Sequence, residues 1–159
     1  DNTNSSGHQW RGYAVRTLRA NVGEAGRVRN VTVVGNSLAN SLSTDEYTKA
    51  DKGIQNCIFW GNPVAYSASA KKTGAIDHCY LFLPNEAAQQ YATNCSTDDP
   101  LVRRSGKLKP SSPCIGQAVT SMSLSAGLDF VGNPRVREDG TQDIGCSQWM
   151  PSGLMMLVK

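Results

Sequence analysis

The stretch Asn30-Val31-Thr32-Val33-Val34-Gly35-Asn36 returns as Asn56-Cys57-Ile58-Phe59-Trp60-Gly61-Asn62, so each copy opens on asparagine and closes on a Gly-Asn pair. The residues between are mostly β-branched or aromatic and favour extended backbone, while Asn and Gly tolerate the left-handed angles that end a strand. Each copy therefore reads as one short strand between two corners. The second copy starts 26 residues after the first, at Asn56 against Asn30. A third, weaker copy begins at His78-Cys79, continues through Tyr80-Leu81-Phe82-Leu83 and leaves by Pro84-Asn85 instead of Gly-Asn. It starts 22 residues after the second, at His78 against Asn56, and repeats of this size are the signature of a solenoid.

Ahead of each copy a glycine introduces a short apolar segment, at Gly26-Arg27-Val28, Gly53-Ile54 and Gly74-Ala75-Ile76, with a further one at Gly12-Tyr13-Ala14-Val15. Each coil thus holds two or three short strands. A single coil cannot bury its inner side, so successive coils must stack strand on strand around a continuous apolar column. The expected fold is all-β, a right-handed parallel β-helix of about three coils with a C-terminal capping segment. The coils are expected over residues 1–98, the cap over 99–149 and a short tail over 150–159. Asn30, Asn56 and His78 fall at equivalent corners, where a structural ladder of side chains satisfies turn backbone from coil to coil. Cys57 and Cys79 are expected one coil apart on the same side, as thiols in contact. An acid/base pair of His78 with Asp77 is set aside, because neighbours in a strand point to opposite faces.

Composition agrees with a turn-rich β protein of one domain: 159 residues, 15 glycines, 7 prolines, 39% hydrophobic and 18% charged. The net charge of +3 is mild. Its cations read as scattered and not interleaved with aromatics, which speaks against a nucleic-acid partner. The five cysteines form no zinc-spaced pair, so no structural metal is expected, and they read as small buried hydrophobes more than as a disulfide framework. The chain opens at Asp1 inside a polar Asn/Ser-rich run without an initiator methionine, and residues upstream are expected. The apolar run at 154–158 is far too short to span a membrane, and no insertion is expected.

Beyond Asn94-Cys95 the grammar changes. Four motifs follow in order: Asp99-Pro100-Leu101; Leu108-Lys109-Pro110-Ser111-Ser112-Pro113-Cys114-Ile115; Asp129-Phe130-Val131-Gly132-Asn133-Pro134-Arg135; and Asp143-Ile144-Gly145-Cys146. Together with the preceding repeat, this set resembles the C-terminal ends of bacterial secreted and surface right-handed parallel β-helix proteins of the pectate-lyase-like superfamily. The likeness spans roughly residues 12–149. It departs from that pattern at Ser147-Gln148-Trp149, where an Ala-Tyr-Glu type of ending is usual, and at the third copy, which lacks Gly-Asn. The segment after Asp99 is expected to fold over the end of the last coil or along the side of the last coils. Asp129, Asn133, Arg135 and Asp143 are expected to tie it together through hydrogen bonds and an ion pair, and the same carboxylates are the candidates for a calcium ion.

The resemblance implies an extracellular or cell-surface location and, as partners, a polysaccharide or cell-surface glycan and the remaining upstream part of the same protein. The leading expectation is a module without catalytic residues that binds glycan or another surface, with Trp10, Tyr13, Tyr47, Tyr66 and Trp149 as stacking candidates. The alternative is the terminal part of a polysaccharide lyase or glycoside hydrolase whose catalytic coils lie upstream. A second alternative is a phage or secretion fibre component. Hydrolysis needs two facing carboxylates, and elimination needs a base with a neutraliser for a uronate. Neither set is assembled by these motifs, and Lys49, Asp51 and Lys52 read as a solvated polar stretch before a strand.

Overall fold

A computed structural model describes residues 13–15, 28–35, 40–43, 53–61, 64–65, 74–82, 89, 91–120 and 127–151. Its strands are short: β1 (Tyr13–Val15), β2 (Val28–Arg29), β3 (Thr32–Val34), β4 (Asn40–Ser43), β5 (Ile54–Gln55), β6 (Ile58–Trp60), β7 (Val64–Ala65), β8 (Ile76–Asp77), β9 (Tyr80–Leu81) and β10 (Ala92–Thr93). They make three sheets with orders β1-β4-β7, β10-β8-β5-β2 and β3-β6-β9, and every strand pairing is parallel. Among the described residues, helical backbone is confined to Gln89.

The chain visits the three sheets in a fixed rotation, first β1-β2-β3, then β4-β5-β6, then β7-β8-β9. Register follows the sequence repeat, since Val28 pairs with Ile54 and Ile54 with Ile76, while Thr32 pairs with Ile58 and Ile58 with Tyr80. A fourth pass adds β10 on β8 and a bridge from Tyr80 to Ser96. The sequence reading stopped one pass short of this. Tyr91-Ala92 has no introducing glycine, and its corner at Asn94 comes after a step of only 16 residues from His78.

The corner between the second and third sheets has the same backbone in every pass. Asn30, Asn56, His78 and Asn94 have φ of 52°, 55°, 50° and 53°. This left-handed region costs most side chains roughly 1–2 kcal/mol, and Asn and His are among the residues found there most often. Among the described residues, the corner side chains of Asn30, Asn56 and His78 bond to partners other than one another. Asn30 Oδ1 accepts from Gln142 Nε2 at 3.1 Å, and the Asn56 amide clamps Val119, donating to its carbonyl and accepting from its N–H, both at 3.0 Å. The other two corners turn to one carboxylate: His78 Nδ1 lies 2.7 Å and Asn94 Nδ2 3.1 Å from Asp77 Oδ1. Asp77 and His78 therefore meet, against the expectation from strand alternation. His78 is not in a strand, and its left-handed backbone swings the ring back over its predecessor.

Val28, Val33, Ile54, Cys57, Phe59, Ile76, Cys79 and Leu81 form one buried cluster, with Val31, Ala92 and Cys95 packed against it. These are the same three positions of each pass, repeated, so the core is a column. Burying a side chain such as Phe59 or Ile54 contributes about 1.5–3 kcal/mol, repeated here at each level. Cys57 and Cys79 sit in register on this inner side, with the Cys57 N–H donating to Cys79 Sγ at 3.4 Å, and all five thiols are free.

The segment from Asp99 onward lies along the outer face of the β3-β6-β9 sheet. Ile58 and Tyr80 from that face join Leu108, Cys114 and Ile144 in a second buried cluster, flanked by Trp60, Val102, Ile115, Ala118 and Trp149. Gly145 N–H donates to Asn56 O at 2.9 Å, and Cys146 N–H to Thr32 Oγ1 at 2.9 Å. Of the two placements the sequence left open, these contacts are those of a side strap spanning several passes.

Candidate functional site

The four C-terminal motifs are local devices that hold this strap in shape. At Asp129, one carboxylate oxygen accepts from the N–H groups of Val131 and Asn133 at 2.9 and 2.8 Å. The other takes Gln148 N–H at 2.7 Å and Asn133 Nδ2 at 3.2 Å. Burial pushes the Asp129 carboxyl up, but the hydrogen bonds from Gln148, Asn133 and Val131 outweigh it and hold the group below the usual carboxylate range. Arg135 donates to the carbonyls of Gly145 and Cys146 at 2.8 and 2.9 Å, and burial lowers its pKa. Asp143, fully buried, accepts from the N–H groups of Gly116 and Trp149 and from the Arg137 guanidinium. The ion pair of the strap is thus Asp143 with Arg137, a residue the sequence reading did not single out.

These carboxylates are surrounded by N–H donors and not by the oxygen ligands a calcium ion takes. Among the described residues, no three His, Cys, Asp or Glu side chains converge in a way that could hold a metal ion. None of the helices among them is long and apolar enough to cross a membrane.

One element of the strap faces solvent. Val102 and Leu108 pair across an antiparallel bridge, closed by Arg103 N–H to Lys107 O and Gly106 N–H to Arg103 O, both 2.8 Å. Turn residues between two apolar anchors must point outward, so Arg103, Arg104 and Lys107 are exposed, with Lys109 following. No ion pair among the described residues uses any of these four cations. The hairpin stands between two open recesses. One, of about 300 Å³, is lined by Arg103, Lys107, Pro110, Val131, Trp149 and Met150; the other, of about 370 Å³, by Arg104, Phe130, Val34 and Thr32 among others. Each recess has a large apolar side chain open to water, Met150 at 50% and Phe130 at 59% exposure.

Of the aromatic stacking candidates, Trp149 lines the first recess, half-buried against the second cluster. Trp10, Tyr47 and Tyr66 lie outside the described residues, as do Lys49, Asp51 and Lys52, and Tyr13 is described only as backbone within β1. The cationic hairpin was the missed feature. Its signal was in the chain as Arg103-Arg104-Ser105-Gly106-Lys107-Leu108-Lys109, four cations within seven residues around a Ser-Gly turn.

A second constellation sits at the β8 corner. Asp77 is buried and accepts from Gln55 Nε2 at 2.9 Å as well as from His78 and Asn94. Burial pushes its carboxyl up, yet the bonds from Asn94, Gln55 and His78 together hold it below the usual range. His78 Nδ1 is engaged by the carboxylate, and the His78 side chain is 28% exposed. No family model, characterised protein or solved structure matches this chain.

Proposed function

We propose that the three parallel sheets are the faces of a right-handed parallel β-helix, the C-terminal part of an extracellular bacterial protein like those its motifs resemble. Right-handedness is the rule for parallel strands joined by crossovers within one sheet. In this reading the chain is a module without catalytic residues that binds an acidic polysaccharide or cell-surface glycan across the hairpin of residues 102–108. The observation that carries it is the juxtaposition of Arg103 and Lys107, free of ion pairs among the described residues, with Trp149 in one open recess. A sugar's C–H face packs on an indole ring, and guanidinium groups match carboxylates with paired hydrogen bonds. Titrating the chain with uronate-rich and neutral polysaccharides tests this. Acidic chains should bind better, binding should fall with salt, and Trp149→Ala or Arg103→Ala with Lys107→Ala should each weaken it about tenfold. Equal binding of both classes without salt dependence would sink the proposal.

A second reading has its own observation. The Asp77–His78 pair is the arrangement of an oriented general base, which favours the terminal part of a polysaccharide lyase or glycoside hydrolase. Unsaturated product absorbance and reducing ends, followed with intact chain and with His78→Gln, separate the two. Turnover lost in His78→Gln would replace the binding module by the enzyme.

A further inference from the structure

The apolar column ends on a thiol. Cys57, Cys79 and Cys95 occupy one position in three successive passes, because Gln55 pairs with Asp77 and Asp77 with Thr93 just before them. Their Sγ atoms repeat one pattern, each near the carbonyl two residues back, at 3.1 Å to Gln55, 3.3 Å to Asp77 and 3.3 Å to Thr93. Cys57 and Cys79 are 0% exposed. Cys95 instead lines a half-open recess of about 190 Å³, together with Leu81, Gln89, Ala92, Asn94 and Ser96.

We infer that Cys95 and Cys79 are a reactive thiol pair that small hydroperoxides convert to a disulfide, Cys95 being the attacking sulfur and Cys79 the resolving one. Spacing brings the pair within reach: neighbours in parallel register lie about 4.8 Å apart, inside the roughly 4.4–6.8 Å that a disulfide spans between Cα atoms, and the Cβ atoms must close from about the same gap to roughly 3.5–4.5 Å as the bond forms. Access sets the order, since an oxidant entering the recess meets Cys95 first. Charge agrees with it. A hydrogen bond from the Cys79 side chain holds the Cys95 thiol below its ordinary range despite burial, while burial pushes Cys79 well up. Elsewhere, burial pushes Cys114 up to about 12, and Cys146 Sγ lies against Gly106 O.

In the first step the Cys95 thiolate attacks the outer oxygen of the hydroperoxide. The O–O bond breaks, the alkoxide takes the proton that Cys95 had released, and Cys95 becomes a sulfenic acid. The Cys79 sulfur then attacks the Cys95 sulfur, the S–O bond breaks, and the oxygen leaves as water with the Cys79 proton. Two thiols are oxidised to one disulfide and one hydroperoxide is reduced to an alcohol.

The test treats the full chain with equimolar hydrogen peroxide and follows intact mass and non-reducing peptide maps. The expected product is lighter by two hydrogens, with Cys79 linked to Cys95. In Cys95→Ser the rate of thiol loss should fall about tenfold or more, and in Cys79→Ala a dimedone-reactive sulfenic acid should persist at Cys95. Should Cys79→Ala fold poorly, the wild-type map alone decides. First modification at Cys114 or Cys146, or a Cys95 that reaches sulfinic acid in the wild type without linking to Cys79, would overturn the inference.

Discussion

Gly145 sits where the strap lies directly against the sheet. A Cβ built there would lie 2.7 Å from Thr32 Oγ1 and 2.8 Å from Ile58 Cδ1, and its φ of 105° is one that side chains rarely adopt. Both objections act on the same atom, and neither neighbour can retreat, since Ile58 is fully buried and Thr32 holds Cys146 N–H. Gly145→Ala should therefore cost about 2–4 kcal/mol, read as a lower urea midpoint with unchanged slope. An unchanged midpoint would mean that the strap does not rest on this face. Asp129 gives a second residue-scale expectation, with a defined sign. Its folded pKa is depressed, so its contribution to stability is complete above the unfolded value near pH 4 and is lost as pH falls through the folded value. Asp129→Asn turns a donor toward Gln148 N–H or toward Val131 and Asn133, and should cost about 2–4 kcal/mol at neutral pH. That gap should narrow below about pH 4 as the wild-type carboxyl is protonated. A gap that stays constant down to pH 2 would contradict the assignment.

At the scale of elements, the corners decide register. Asn56 tolerates its left-handed backbone and also holds Val119 through two hydrogen bonds, so the two roles separate by substitution. Asn56→Gly keeps the backbone and loses the clamp, at about 1–2 kcal/mol; Asn56→Ala loses both and should cost about 2–3 kcal/mol. Chemical denaturation of the pair checks the order, and Ala equal to Gly would show that backbone strain is not felt there. These corners were also what the sequence made legible. Asn30 and Asn56 repeat with their Gly-Asn exits, and the parallel register of β2 with β5 and of β3 with β6 is that same repeat. Asn94 was harder to see because its pass is shorter and lacks the glycine, although Asn94-Cys95 repeats the Asn56-Cys57 pair. The meeting of Asp77 with His78 was missed for a different reason: alternation along a strand says nothing about a residue with φ near 50°. The cationic hairpin was missed because charge was read along the whole chain, where +3 is unremarkable, and not within the turn that gathers it.

For the whole molecule, the strap changes how a stacked fold distributes its stability. Passes of a solenoid touch only their neighbours, so such folds can lose end passes singly. Here the strap bonds to Thr32 in the first described pass and to Asn56 in the second, and packs on Tyr80 in the third. It couples levels that the strands alone would couple only in sequence. It also covers Ile58 and much of Tyr80 on the outer side of a sheet whose inner side is already buried, so those strands are apolar on both faces. Burial of Tyr80 raises its pKa, as an interior position does. The full chain should accordingly unfold in one transition, with far-UV and near-UV dichroism coincident. A chain ending at Asp98 leaves the outer residues of β6 and β9 in water, and should bind a hydrophobic dye, self-associate and unfold over a broad range. If that shorter chain instead stays monomeric and unfolds at the same midpoint as the full one, the strap is an ornament on a self-sufficient stack, and the coupling argued from Thr32, Asn56 and Tyr80 is wrong.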